Sequence, residues 1–499
     1  MSSTTSGKYI GVIDQRTAGT RFAIIDHSGD IIGVGYEPHT TYTEAPHSVE
    51  FDPMEIWQCT RAAFQAALGE CAVQPTELAA IGITSQRQTC VLWDADSGKP
   101  HMRAVSWQDR RAKPFVDACS PADRTLIQER TGLILDPYFA GPTLGHLLEV
   151  DQSLRKAATD GTLRFGTIDS WLLSRLTGKH QTDITNAAQT MLVDIDRGEW
   201  DPELLATFDI PRDILPSIHP SSAPSAYGRT DVGGLLDTEI PVTGVIGGQQ
   251  AALVGHGGFN NGDTKISFGA GNFALQNVGH SRPDGSDAVL STIWFQEAGE
   301  EPYYGLEAPV FTAGTLMEWL DDLGMLQCEG EPYVPTVVSE AADCPRVIPS
   351  IAGGGAPNWC SSSGGALFGL TLHDNTESIA LAAVDGIAFA TRSALEALED
   401  ASGHRADQIL VDGGGVRDTR VASRQASLLG RDLVRAAVSP TAALGAAVTA
   451  GLAVDMWETL QSFTPTIGLC FPADGDPAAI QDLYDEWTAL RDQVHESAN

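Results

Sequence analysis

Near its start the chain reads KYIGVIDQRTAGTRFAIIDHSGDIIGVG, three apolar runs interrupted by polar residues at 15–20 and again around Gly29. β-rich runs bounded by turn formers predict strand, turn, strand, turn, strand. A similar unit, TKISFGAGNFALQNV, occupies 264–278 with Gly269 and Gly271 in its turn. Two such hairpins about 250 residues apart predict a duplicated domain. Apolar residues recur at helical spacing over 53–68 behind the capping Asp52, over 144–158, over 376–400 and over 419–429. Strands alternating with helices in each half predict an α/β fold. The glycine-rich link just before the second hairpin sets the expected boundary, with lobes at 1–257 and 258–499.

The uncharged stretch 436–454 has the length of a membrane span, but it is rich in Ala, Gly, Ser and Thr and contains Pro440. It is read as a buried helix, and no membrane insertion is expected. The chain opens without a charged-then-apolar leader, so a cytoplasmic location is expected.

Charge changes the picture of the surface. Among 499 residues, 31 Lys+Arg face 65 Asp+Glu, a formal net charge of −34, while 42% of residues are apolar. That apolar share supports full cores and excludes a disordered acidic chain. So negative a surface repels phosphate backbones and anionic membranes, and no nucleic-acid partner is expected. Only six of the basic residues are Lys. Carboxylate excess with few lysines suits a surface kept soluble in concentrated salt, so a halophilic source is expected. The eight cysteines, at 59, 71, 90, 119, 328, 344, 360 and 470, form no C-x-x-C pair and read as reduced, incidental thiols.

Glycine-rich loops at 245–258, 351–359 and 410–418 punctuate the chain, yet none is a P-loop or a dinucleotide fingerprint. Their order with the hairpins is more informative. The series DQRTAGTR, FDPMEIW, IGITSQRQT, WQDRR, DPYFAG, DSWLL, GGQQAAL, GAGNF, GALFGLTL and VDGGG resembles the FGGY carbohydrate kinases, and among them the glycerol kinases most closely. The resemblance implies two ribonuclease-H-like lobes of the actin and hexokinase type, closing on ATP and a polyol.

It also implies a site. Asp14, Thr17 and Arg21 match the family's first phosphate hairpin, with Asp14 holding Mg²⁺, directly or through water. Gly269, Ala270, Gly314, Gly414, Gly415 and Asp418 fall at nucleotide positions. Arg87, Gln88, Trp107, Tyr138, Gln249 and Phe273 fall at glycerol positions, where hydrogen-bonding groups and an apolar wall suit a polyol. Several chemical centres depart from the pattern. Arg16 replaces a glycine, and either blocks the phosphates or adds a cation to them. Gln88 replaces a glutamate, and Ala270 replaces a threonine whose hydroxyl serves the phosphates. The family's G-D-Q-Q aspartate, which accepts the hydroxyl proton, is Gly248 here.

A missing general base costs about 10²–10⁴ in rate. The resemblance therefore implies a glycerol kinase-like protein, catalytically impaired or inactive. It would act by binding polyol or nucleotide, as a homo-oligomer or beside an active paralogue. The alternative is an active polyol or sugar kinase whose base has moved, for instance to His256.

Overall fold

The structure is a computed structural model that describes residues 7–497 except 46, 231–237, 284, 327–344 and 361–362. Cys328 and Cys344 lie outside the described residues, and Cys59, Cys71, Cys90, Cys119 and Cys470 are free thiols.

Two sheets organise the chain. The first runs Val242–Gly247, Leu78–Ser85, Tyr9–Arg16, Gly19–Asp26, Ile31–Pro38 in spatial order. Its first three strands in sequence form an antiparallel meander, and the other two add in parallel. The second sheet has seven strands, ordered Leu290–Phe295, Tyr303–Val310, Asn272–Asn277, Thr264–Phe268, Gln408–Asp412, Asp432–Ala436, Ile467–Phe471. The hairpin Thr264–Phe268 with Asn272–Asn277 pairs antiparallel, and Gln408–Asp412 joins it in parallel, as Leu78–Ser85 joins Tyr9–Arg16. The duplication expected from the two hairpins is thus a repeat of sheet topology.

Three local expectations are refined. Arg16 still pairs with Gly19, so the first hairpin turn is Thr17–Ala18 alone rather than 15–20. The helix expected over 144–158 is two, Ala140–Val150 and Gln152–Thr159. Asp151 ends one and starts the other, its carboxylate accepting from the N–H groups of Ser153 and Leu154, and this cap competes with continuation. The helix Pro477–Glu496 lacked a signal strong enough to expect; it seats Trp487 and Tyr484 against Phe389.

The apolar stretch 436–454 contains the helix Thr441–Leu452, which lies in sequence beyond the expected boundary but packs on the first sheet and on the helix Gly248–Gly255. Glycine is needed at that crossing. A Cβ on Gly255 would stand 2.0 Å from the Thr441 carbonyl oxygen, and one on Gly445 would stand 1.8 Å from that of Ala251. The two backbones therefore touch, and one apolar cluster joins Val12, Ile246, Leu253, Val448 and Trp294 from both sheets. The helix Thr376–Ser402 is long and apolar enough to cross a membrane by length and composition, but 72% of its most apolar window is buried inside the molecule as a core helix.

Candidate active-site cleft

A cleft of about 600 Å³ is lined from both sheets. It brings together all six residues expected for the polyol: Arg87, Gln88, Trp107, Tyr138, Gln249 and Phe273. Arg87 follows the strand Leu78–Ser85, and its two terminal nitrogens each lie 2.5 Å from an oxygen of Glu307 on the second sheet. Burial alone would lower the Arg87 pKa, but the Glu307 carboxylate outweighs it and raises it. Burial pushes the Tyr138 phenol well up, keeping it neutral, with its oxygen 3.4 Å from Arg87. Trp107 stands edge-on to Tyr138 at 5.9 Å and to Phe273 at 5.8 Å, forming the apolar wall.

Gln88 has φ +63°, an uncommon conformation for a residue with a side chain. Its amide is held in a relay. The Thr292 hydroxyl donates to the Ile293 carbonyl, leaving its oxygen to accept from Gln189 Nε2 at 2.8 Å. Gln189 Oε1 then accepts from Gln88 Nε2 at 2.6 Å. Because the relay consumes the nitrogen, Gln88 Oε1 is left to accept a hydrogen bond from a ligand hydroxyl.

The end of the cleft expected to take phosphates holds Asp14, Arg16, Thr17, Arg21, Gly269 and Ala270. Arg21 donates to one Asp14 oxygen at 3.1 Å. The other oxygen has no partner among the described residues and can serve Mg²⁺ or one of its waters. Thr17 Oγ1 accepts from the Trp107 indole N–H at 3.1 Å, so it ties the first hairpin turn to the aromatic wall. Ala270 offers no hydroxyl. Gly414 lines the cleft next to Gly413, whose φ of +99° and position against the Phe268 carbonyl admit no Cβ.

Three expected residues do not line the cleft. Gly314 packs behind the second phosphate turn, its N–H on the Gly269 carbonyl at 3.0 Å, and Gly415 leans on Phe268. Asp418 caps the helix Thr419–Leu429 and pairs with Arg420. Each is drawn off by local backbone or ion-pair geometry that the glycine-rich pattern does not reveal.

At 248 there is only backbone. Gly248 opens the helix Gly248–Gly255 and lines the cleft, and no side chain caps that helix. Only two carboxylates line the cleft among the described residues, Asp14 and Asp412. Asp412 accepts from Thr441 and pairs with His256 at 3.1 Å. Although burial opposes it, the His256 hydrogen bond and nearby positive charge hold its pKa below the usual carboxylate range. His256, considered above as a relocated base, ends the helix that Gly248 begins and does not line the cleft.

Two groups escaped the sequence reading. Lys265 is fully buried, and its ammonium donates to Gln249 Oε1, to Ser267 Oγ at 3.1 Å and to the Phe273 carbonyl at 3.3 Å. Burial pushes its pKa down to about 8, with Asp412 and Glu307 opposing. The other is Glu307, buried under Arg87. A signal existed for both: each is a lone charge inside an apolar strand, TKISF and YYGLEAPV.

The amino-terminal domain of the FGGY family of carbohydrate kinases matches residues 9–255, and its carboxy-terminal domain matches 264–454. The chain belongs to this family. As an FGGY protein it is 39% identical to a glycerol kinase of Haloquadratum walsbyi over 492 residues, covering 96% of each chain. It is 38% identical to one of Deinococcus radiodurans over 455 residues, covering 91% of this chain and 90% of that one. Its fold matches the crystal structure of Plasmodium falciparum glycerol kinase with ADP at a TM-score of 0.84 and 27% identity, over 97% of this chain and 98% of that one.

Proposed function

We propose that this FGGY protein binds ATP with Mg²⁺ and a glycerol-like polyol in its cleft but transfers the phosphoryl group slowly or not at all. One observation carries the reading. The acceptor end keeps its polyol-binding groups, yet no free carboxylate lines it among the described residues. Asp14 belongs to the phosphate hairpin, and Asp412 is engaged by His256 and Thr441. Phosphoryl transfer to an alcohol needs a group to accept the hydroxyl proton as the new P–O bond forms. In this reading the chain works in the cytoplasm, with lobes at 1–257 and 258–499, and acts through ligand binding or beside an active paralogue.

The test is turnover with glycerol, ATP and Mg²⁺ in high salt, alongside ADP binding by calorimetry. ADP should bind, while glycerol 3-phosphate should form at least about 10²-fold more slowly than the 1–100 per second usual for kinases. Gly248→Asp should raise the rate. A Cβ at 248 would sit 3.0 Å from the Ser85 carbonyl oxygen, so that carbonyl must yield slightly, and Gly248→Ala controls for the strain. Ordinary kinase turnover by the unmodified protein would overturn the reading.

A further inference from the structure

Asp183 is a fully buried carboxylate that does not line the cleft. It ends the short strand Gln181–Asp183 and caps the helix Ile184–Ala188, accepting from the N–H groups of Thr185 and Asn186, each at 2.9 Å. Burial first, then the neighbouring Asp169 carboxylate, push its pKa up to about 7. Keeping a carboxylate in such a place costs stability. Neutral donors offset the cost: the hydroxyls of Thr185 at 2.7 Å and Ser221 at 3.0 Å, and the Asn186 amide at 2.7 Å.

Two chains of contacts lead from this carboxylate to the cleft. An ionised carboxylate only accepts, so the Thr185 hydroxyl must donate its proton to Asp183 and present a lone pair on its other side. The Gly247 N–H occupies that lone pair at 2.9 Å. At Gly247 the strand Val242–Gly247 turns into the helix Gly248–Gly255, and the next two residues, Gly248 and Gln249, line the cleft. Ser221 braces the same strand, its carbonyl accepting from the Val245 N–H at 2.9 Å. At the far end of the helix Ile184–Ala188 stands Gln189, whose Oε1 accepts from Gln88 Nε2 and so sets which way the Gln88 amide faces. One capped turn thus reaches two ligand-facing positions that lie far apart in sequence.

We propose that Asp183 is a positioning residue for the polyol, acting through Thr185 on the Gly248–Gln249 turn and through Gln189 on Gln88. It touches no ligand itself. The inference rests on the cleft binding a polyol as argued above, and it assigns the geometry of that binding to the segment 183–189. Among the described residues no hydrogen bond joins this segment to Asp14, Thr17, Gly269 or Gly414, so nucleotide binding should not depend on it.

Calorimetry measures glycerol binding to the ADP-saturated protein and ADP binding to the protein alone. Thr185→Val keeps the side-chain shape and removes the hydroxyl. Glycerol affinity should fall about tenfold, as for the loss of one buried hydrogen bond, while ADP affinity stays within about twofold. Asp183→Asn, which replaces one acceptor oxygen by a donor, should share that loss, and Thr185→Ser, which keeps the hydroxyl, should restore most of it. Gln189→Leu cuts only the contact to Gln88; it should weaken glycerol several-fold and again spare ADP, which keeps the test decisive where Thr185→Val does not fold. Glycerol affinity unchanged in any of Thr185→Val, Asp183→Asn or Gln189→Leu overturns the inference. So does equal weakening of both ligands, the mark of a merely structural role, or a Thr185→Ser protein no better than Thr185→Val. Failure of the unmodified protein to bind glycerol would instead refute the underlying reading of the cleft, and this inference with it.

Discussion

Arg87 and Glu307 meet as a bidentate ion pair, Nη2 to Oε1 at 2.5 Å, with both side chains almost wholly removed from solvent. Arg87 belongs to the first sheet's end of the cleft and Glu307 to the middle of a second-sheet strand. The pair therefore fastens a ligand-facing cation to the opposite lobe and cancels its charge before any ligand arrives.

Removing one partner should be severe. Glu307→Ala leaves Arg87 buried and uncompensated, and the unfolding free energy should fall by about 3–5 kcal/mol in denaturant titrations. The double change Arg87→Met with Glu307→Leu should recover much of that loss while abolishing polyol binding. Full stability in Glu307→Ala would mean that the pair is solvated in solution.

Lys265 sets a pH dependence. Its folded-state pKa of about 8 lies below the roughly 10.4 of an unfolded lysine, so the unfolded chain binds more protons between those values. Burying the charged form costs stability fully below pH 8, and the cost fades as pH rises towards 10.4. The unmodified protein should gain stability over that window relative to Lys265→Met, as read from paired thermal melts. Parallel curves would place the lysine's pKa at its ordinary value.

Arg16 lines the end of the cleft expected to take phosphates, and its exposed guanidinium has no ion-pair partner among the described residues. Its carbonyl, by contrast, is pinned by Gln15 Nε2 at 2.8 Å and contacted by His39 at 3.1 Å. A fixed turn carrying an unpaired cation favours help to the phosphates over obstruction. Arg16→Gly should weaken ATP binding by about tenfold, the worth of one hydrogen bond to a charged group. Tighter binding of ATP by the variant would identify Arg16 as a block.

The net charge of −34 predicts stabilisation by salt. The Debye length falls to about 3 Å at 1 M, which screens repulsion among surface carboxylates. The melting temperature should rise between dilute buffer and molar KCl, and an unchanged melt would contradict the halophilic reading.

The sequence by itself determined the elements and their repetition, because hairpin turns, caps and apolar periodicity are local. The helix Thr419–Leu429 matches its pattern to the residue, and the wall residues Trp107, Tyr138 and Phe273 were named by motif before the fold gathered them. Only the tertiary structure decided which groups are neutralised, oriented or left without partners. Gln88 and Gln189 lie 101 positions apart, and Arg87 and Glu307 lie 220 apart. No spacing rule joins residues at such separations. Burial makes the difference: the same Lys, Ser or Gln is unremarkable in water, but inside the cleft its every donor and acceptor must be accounted for, and that accounting exists only once the chain has closed around it.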